Sequence, residues 1–378
     1  MNRNLTAEHN RNTSSGLSYV YASYVVNNKA GYVAVIDPTT DEIIKRISTG
    51  KSPSAMCLSP SGDKLYVADD ITNAVLVYST DTFKFLAAFP VGSKPVAVFV
   101  ESGGKIGYVA NYGENETGSM TVFDAITLQS QGTGILLDKP FAFASNKNTP
   151  YVYMACQSRP PFGDFVYILN VDDDGMESLE YSSIEPIFDQ NHNPLAVRLN
   201  GHILAVLANI GFLYDYTHVH HKATSLLDNT VSGVYLDNGL LFCTMQEQRD
   251  FLKVIKNLDF DADGNVIYDN SQEIPSYKGQ DKIRTSLTQK YIGVTIQPTD
   301  SPTGGLQIID VASLNSRFVD LDSVGDLAFY SDSKAYVGEG NMVHSIDLAT
   351  GTPLTAIDVA GNNNTVKNII SGYSNQSS

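Results

Sequence analysis

Residues 58–80 read LSPSGDKLYVADDITNAVLVYST, and residues 100–124 read VESGGKIGYVANYGENETGSMTVFD. Both stretches share one frame: an apolar strand, a turn that contains glycine, a strand that ends in Ala-Asp or Ala-Asn, a polar loop and another apolar strand. Two copies of one β-rich frame in the first third of the chain indicate an internal repeat, and such a repeat decides the architecture.

The frame recurs along the whole chain. Equivalent apolar positions in its third strand are Val33, Val75, Val122, Val166, Leu213, Leu252, Leu306 and Val343. These positions follow one another at intervals of 37 to 54 residues, with a mean near 44. A period of about 40–45 residues with four strands per repeat is typical of a β-propeller.

The sequence therefore predicts an all-β chain that forms a single β-propeller of four-stranded antiparallel blades. Eight repeats favour eight blades; the alternative is seven blades, with one degenerate unit between residues 193 and 275 miscounted. The first unit lacks an innermost strand because Gly16 already opens its second strand, and the β-like run Thr365–Tyr373 is left over at the other end. We expect this C-terminal strand to close the ring inside the first blade, which leaves no inner edge unpaired.

Composition sets limits on the domain plan and on the partners. Residues 1–15 are polar and predict a flexible leader, residues 16–373 a single propeller domain, and residues 374–378 a disordered tail. The formal net charge of −16 argues against nucleic acid and anionic membranes as partners. The longest clean apolar stretch, Ile203–Ala208, is too short to span a bilayer. Three sparse cysteines argue against a disulfide framework and predict a cytoplasmic protein with buried thiols: Cys57, Cys156 and Cys243.

Four short segments resemble the YVTN-type β-propeller repeat: LYVAD at Leu65–Asp69, GYVAN at Gly107–Asn111, SPSGDK at Ser59–Lys64 and VIDPTT at Val35–Thr40. The likeness is strong over residues 16–137 and 323–360, and it is weak between residues 139 and 321. The resemblance implies a scaffold shared with surface-layer repeats, lactonase-like and lyase-like propellers and eight-bladed haem d1-type domains. No catalytic motif of that family matches residue by residue, so the resemblance implies a fold rather than a site.

One rim of the expected propeller carries both the loops between second and third strands and the connectors between blades. Three lysines occupy one repeat position at the end of these connectors: Lys51, Lys94 and Lys139. Charges at one repeat position in consecutive blades converge on the channel axis, so we expect a basic mouth that attracts anions. The alternative is that these lysines are ordinary surface residues that balance the acids Glu114, Glu116 and Asp189.

The long rim loops of blades 3 and 4 are expected to form a wall above this mouth. His192 lies close to Asp189 in the sequence, and an imidazole oriented by a carboxylate can serve as a general base near neutral pH. The alternative is an exposed or structural histidine. We predict catalytic roles for His192, Arg159 and Tyr112, and ligand binding by Lys51, Lys94, Lys139, Glu114 and Phe162.

No metal site and no cofactor are predicted. The densest histidine cluster, His218, His220 and His221, falls on an outer hairpin at the opposite rim and has no evident acidic ligands. The run Asp259–Gly264 begins like a calcium-binding loop, but its twelfth position is Asn270 instead of a bidentate glutamate. We interpret it as an Asp-Gly turn with at most weak binding of Ca²⁺.

These observations predict a cytoplasmic β-propeller that binds a small anionic organic molecule at the channel mouth. The sequence carries no P-loop, no dinucleotide-binding glycine fingerprint and no Gly-x-Ser-x-Gly motif. We expect an enzyme of the lactonase, isomerase or lyase type; the alternative is a non-catalytic propeller that serves as a scaffold for ligand or protein binding. The oligomeric state is expected to be a monomer or a weak homo-oligomer.

Overall fold

The computed structural model describes residues 19–114, 117–136, 138–145, 151–157, 166–171, 179–184, 194–208, 211–215, 220–246, 249–299, 304–361 and 364–372. Every regular element in these ranges is a β-strand, apart from one turn of 3-10 helix at Ser225–Leu227. The all-β class expected from the sequence is therefore confirmed.

The described strands form eight four-stranded sheets and one separate two-stranded hairpin, and neighbouring strands pair antiparallel. We call the four-stranded sheets blades and number them from the N-terminus. From blade 1 to blade 8, the innermost strands are Val366–Ser371, Pro53–Leu58, Pro95–Val100, Lys139–Ser145, Pro194–Asn200, Thr230–Tyr235, Gln280–Thr285 and Leu327–Phe329. Each innermost strand contacts that of the next blade, and the last contacts the first, so these strands surround a central channel.

The remaining strands follow outward in the same order of blades. The second strands are Val20–Val26, Lys64–Asp69, Ile106–Asn111, Tyr151–Gln157, Ile203–Ala208, Leu240–Met245, Tyr291–Ile296 and Lys334–Glu339. The third strands are Ala30–Asp37, Ala74–Ser79, Gly118–Asp124, Val166–Val171, Phe212–Asp215, Phe251–Lys256, Gly304–Asp310 and Met342–Asp347. The outer strands are Glu42–Ser48, Phe85–Pro90, Gln129–Leu136, Leu179–Ile184, His220–Ala223, Asn270–Pro275, Ser316–Leu321 and Thr352–Asp358.

Blade 6 is four-stranded like the others, but it carries an insertion. Between its third and outer strands the chain forms an additional hairpin, in which Asp259–Phe260 pairs with Val266–Ile267. Phe260 and Val266 pack against the apolar cluster that blades 5 and 6 share. This insertion gives a physical reason for the longest repeat interval, the 54 residues between Leu252 and Leu306.

The C-terminal strand Val366–Ser371 pairs with Val20–Val26 and completes blade 1, as the sequence predicts. The Ile369 N–H donates to Asp326 Oδ2 at 2.9 Å, which ties the strand to the start of blade 8. On the other side, Lys367 Nζ donates to Ser52 Oγ at 3.0 Å, next to blade 2. The C-terminal strand therefore contacts three blades, namely blades 1, 2 and 8.

The apolar core lies between consecutive blades instead of in one central mass. Eight buried clusters fill the spaces between neighbouring sheets. Second-strand tyrosines are among the largest fully buried side chains: Tyr21, Tyr66, Tyr108, Tyr153 and Tyr336. Successive side chains of a strand point to opposite faces of the blade. Each apolar side chain is therefore buried against either the preceding or the following blade.

A buried carboxylate joins blade 8 to blade 1. Asp41 accepts hydrogen bonds from Lys334 Nζ at 3.0 Å, from the Tyr336 hydroxyl at 2.5 Å and from Ser345 Oγ at 2.8 Å. Burial alone would raise the pKa of Asp41, but these donors outweigh it and hold the pKa below its ordinary value. We call this group the Asp41 clasp, and it closes the ring near its outer side.

Candidate functional site

Asp69 organises the rim where the connectors enter the innermost strands, which we call the connector rim. Its carboxylate accepts from the N–H groups of Lys51 and Ser52 in the connector and of Ile71 and Thr72 in the adjacent loop. Burial raises the pKa of this fully buried carboxyl, but the backbone donors outweigh burial, so the pKa is lowered overall. The backbone of Lys51 is therefore fixed, while its side chain stays exposed.

The close approach of connector and carboxylate requires glycine at position 50. Gly50 has a φ of +57°, and a Cβ built on it would lie 2.2 Å from Asp69 Oδ2. A side chain at this position would therefore clash with the group that holds the connector. The hydrogen bonding of the connector to Asp69 therefore explains why glycine precedes Lys51.

Lys94 is held at the equivalent connector between blades 2 and 3. Its N–H donates to Asn73 Oδ1 at 3.0 Å, and its carbonyl accepts from the Tyr112 N–H at 2.9 Å. The backbone of Lys94 takes a positive φ of 51°, and its side chain is exposed. This arrangement places the residue directly beside the loop that follows the second strand of blade 3.

Lys139 meets Tyr112 at the boundary between blades 3 and 4. Lys139 Nζ lies 4.6 Å from the centroid of the Tyr112 ring, within the range of a cation–π contact. The Tyr112 hydroxyl donates to Gln157 Oε1 at 2.7 Å, and Gln157 is the cross-strand partner of Lys139. We call Lys94, Tyr112, Lys139 and Gln157 the rim cluster.

The structure thus brings together three of the residues that the sequence predicts for the site: Lys94, Tyr112 and Lys139. Gln157 joins them and was not predicted as a site residue, although it ends the second strand of blade 4. Glu114 is exposed in the same loop as Tyr112, and Lys51 lies one connector earlier along the ring. Arg159, Phe162, His192, Glu116 and Asp189 lie outside the described residues, so their expected positions remain predictions.

A histidine–carboxylate pair that the sequence analysis did not single out lies on the connector rim of blade 8. His344 Nε2 lies 2.6 Å from Glu339 Oε2, and the two side chains are 15 % and 21 % exposed. The other carboxylate oxygen accepts from the Asp322 N–H at 2.6 Å, so the pair also anchors the connector from blade 7. The sequence could have indicated this acidic residue by its position, because Glu339 ends its second strand as Asp69 does in blade 2.

Two arginines at one repeat position of the innermost strands were also missed. Arg198 in blade 5 is buried and donates to the carbonyls of Gly233 and Val197. Arg284 in blade 7 donates to Asp326 Oδ1 at 3.3 Å. Burial and the nearby charge of Arg284 lower the pKa of Arg198 to about 10. In the sequence, Arg198 lies in an apolar strand and Arg284 lies in a polar strand, so no common local pattern shows that they share one repeat position on the innermost strands.

In the Asp-rich turn of the inserted hairpin, the Asp261 carboxylate is hydrogen-bonded by residues of the same turn. Asp261 accepts from the N–H groups of Asp263 and Asn265 and from the Asn265 side-chain amide. Within the described ranges, no group of three or more histidine, cysteine, aspartate or glutamate side chains is placed to hold a metal ion. His218 lies outside the described residues, and the side chains of His220 and His221 are not described either.

No helix in the described part of the chain has the length and apolar character needed to cross a membrane.

Solved structures with the same fold include proteins of different descriptions. Dihydro-haem d1 dehydrogenase NirN in complex with DHE superposes with a TM-score of 0.71 at 13 % identity, over 94 % of this chain and 75 % of that chain. Apo AztD from Citrobacter koseri gives a TM-score of 0.61 at 15 % identity, over 93 % and 97 % of the two chains. A candidate 6-phosphogluconolactonase from Bacteroides fragilis gives 0.55 at 14 % identity, over 94 % and 98 %.

These likenesses establish the β-propeller fold and nothing finer, because the identities are low. No protein-family model and no curated protein matches the sequence.

Proposed function

We propose that this protein binds a small anionic organic molecule at the connector rim, at the junction of blades 3 and 4. The observation that carries the proposal is the rim cluster, in which Lys139 is held over the Tyr112 ring while Lys94 adjoins the same loop. A carboxylate or phosphate is the ligand chemistry that lysine ammonium groups favour.

Local charge supports an anionic ligand over a neutral one. The whole chain carries a formal charge of −16, so its net charge repels a free anion. Lys94 and Lys139 add positive charge beside the Tyr112 loop, and the Tyr112 ring, itself held by Gln157, contacts Lys139. Pre-organised cations bind an anion without first having to be ordered, which favours affinity.

We further propose that the site is catalytic, with chemistry of the lactonase, isomerase or lyase type. His192 is the proposed base, and Arg159 and Tyr112 are proposed to stabilise negative charge on the reacting group. Lys51, Glu114 and Phe162 are proposed to complete the ligand-binding surface. The non-catalytic scaffold remains the alternative outcome of the tests below.

The proposed membership of the YVTN-type repeat family has support at two repeat positions. The tyrosines of the LYVAD and GYVAN segments, Tyr66 and Tyr108, are fully buried between blades. The terminal Asp69 and Asn111 are buried at the connector rim, where Asp69 holds the connector. A cytoplasmic location is likewise proposed, and it is supported by Cys57, Cys156 and Cys243, which are not joined in disulfides.

A thermal-shift screen tests the binding proposal with citrate, inorganic phosphate and glucose 6-phosphate as probes. We expect at least one probe to raise the melting temperature in a saturable way, because a ligand that binds only the native state stabilises it. Lys84→Ala is a suitable control, since Lys84 is exposed between the third and outer strands of blade 2, at the opposite rim. Absence of any shift with all three probes contradicts the proposal.

A separate assay tests the catalytic part. Hydrolysis of an anionic lactone, 6-phosphoglucono-δ-lactone, followed by acid release, is expected to be faster than the spontaneous reaction and to be lost in His192→Ala. If citrate or phosphate binds but no lactone, isomerisation or elimination substrate turns over, the non-catalytic alternative is supported.

A further inference from the structure

The wall of the central channel is basic, although the chain as a whole is acidic. The eight innermost strands contain one acidic residue, Asp281, and five basic ones: Lys139, Arg198, Lys282, Arg284 and Lys367. The whole chain has 25 Lys and Arg residues against 41 Asp and Glu residues, so the innermost strands reverse its overall balance. Because charges that line a concave channel focus their field within it, this reversal favours anions inside the channel.

Arg198 brings a buried positive charge to the channel wall at blade 6. Its guanidinium group extends from blade 5 and donates to the Gly233 carbonyl and, at 3.3 Å, to Ser232 Oγ. Burial and the nearby charge of Arg284 lower the pKa of Arg198 to about 10, so the two guanidinium groups belong to one part of the channel. At neutral pH Arg198 therefore remains positively charged.

Lys282 occupies the repeat position in blade 7 that Ser232 occupies in blade 6. The backbone N–H of each donates at 2.9 Å to a threonine Oγ1 of its own second strand, Ser232 to Thr244 and Lys282 to Thr295. The two innermost strands are in contact, so both residues lie at one level of the channel wall.

The Lys282 ammonium group has a positive charge that the protein does not pair. The side chain is half-buried, and in the described part of the chain no ion pair and no hydrogen bond engages its Nζ. A half-buried charge is costly unless an opposite charge or a hydrogen-bond acceptor reaches it. An anionic ligand in the channel would supply both.

Two carboxylates in the same part of the wall already have donors from the protein. Asp281 Oδ2 accepts from Gln297 Nε2 at 3.2 Å. Asp326 accepts from Arg284 Nη2 at 3.3 Å and from the Ile369 N–H at 2.9 Å. These carboxylates hold neighbouring parts of the fold together, and they leave the lysine charge available to a ligand.

We propose that Ser232, Lys282 and Arg284 form an oxyanion site in the channel wall, which binds the carboxylate or phosphate group of a small molecule. Lys282 and the partly exposed Arg284 supply charged donors, which make the stronger hydrogen bonds to such groups. The Ser232 hydroxyl accepts from Arg198 and can donate its own hydrogen to the ligand. The site lies at blades 6 and 7, so it does not depend on the rim cluster of blades 3 and 4.

Isothermal titration of inorganic phosphate and of malonate tests this site in a Lys139→Ala background, which removes the proposed rim site. We expect at least one of the two anions to bind, and the anion that binds shows whether the site takes phosphate or carboxylate groups. Adding Lys282→Met is expected to weaken binding by about tenfold or more, since it removes the charge and keeps the length of the side chain. Adding Ser232→Ala is expected to weaken it by about fivefold, because one hydrogen bond is lost.

Lys256→Met is the matched control, because Lys256 is exposed at the end of the third strand of blade 6, on the opposite rim. Added to the same background, it is expected to leave binding unchanged. Similar melting temperatures show that the variants are folded. The proposal is overturned if neither anion binds the Lys139→Ala protein, or if the addition of either Lys282→Met or Ser232→Ala leaves the affinity unchanged.

Discussion

Lys139 Nζ lies 4.6 Å from the centre of the Tyr112 ring, across the boundary between blades 3 and 4. Such a contact contributes about 0.5–1 kcal/mol at an exposed site, enough to restrict where the ammonium group is found. The Tyr112 hydroxyl is in turn held by Gln157 at 2.7 Å. The contact gives the connector rim one lysine with a defined position, and the proposed function depends on that lysine.

Closure of the ring by the C-terminal strand predicts a large effect of truncation. Deleting residues 362–378 removes the pairing with Val20–Val26 and the bond from Ile369 to Asp326. We expect a loss of at least about 4 kcal/mol in the free energy of unfolding, measured by urea denaturation. Lys367→Ala removes only the bond to Ser52 and is expected to cost less than about 1.5 kcal/mol. Equal stability of the truncated and complete chains contradicts this closure.

The Asp41 clasp predicts a strong effect of a single substitution. Asp41→Ala leaves the ammonium group of Lys334 and the hydroxyl of Tyr336 without their common acceptor. We expect a loss of about 3 kcal/mol in the free energy of unfolding, because breaking a buried ion pair strands the remaining charge. Asp347→Ala is the control: Asp347 caps the exposed turn at Thr350, and about 1 kcal/mol is expected there. Comparable losses in the two variants would show that the clasp is unimportant.

Asp69 predicts an acid-dependent contribution to stability. Its pKa in the folded protein lies below the ordinary value of 3.8, so its contribution is fully present above about pH 4 and is lost as the pH falls through the folded-state pKa. Asp69→Asn is expected to be less stable than the wild type by about 1.5–3 kcal/mol at pH 7. Denaturation at several pH values down to about 3 is expected to show the difference shrinking. A difference that stays constant over this range is evidence against the role of the charge.

Much of the architecture could be predicted from the sequence because the propeller is built by repetition. Apolar third-strand positions recur at intervals of 37 to 54 residues, and the run left over at the C-terminus identifies the closing strand. The Asp-Gly turn of the inserted hairpin was predicted, but its strands, Asp259–Phe260 and Val266–Ile267, were not, because they are two residues long and carry too few apolar positions to show a period.

The candidate site was only partly predictable, for a physical reason. The repeat shows which residues reach the connector rim, so Lys94, Tyr112 and Lys139 could be identified from their positions. Contacts between different blades depend on side-chain direction across an interface, which one sequence does not encode locally. Gln157, which holds Tyr112, and Glu339, which lies against His344, were therefore found only in the structure.

The most direct test of the proposed function is isothermal titration of citrate and of glucose 6-phosphate into the wild type, Lys139→Ala, Tyr112→Phe and Lys84→Ala. We expect Lys139→Ala to weaken binding by about tenfold or more, and Tyr112→Phe to weaken it less because the ring under Lys139 is retained. Lys84→Ala is expected to bind like the wild type, with all four proteins melting at similar temperatures. Wild-type affinity in Lys139→Ala, or no binding of either anion to the wild type, would contradict an anion site at this rim.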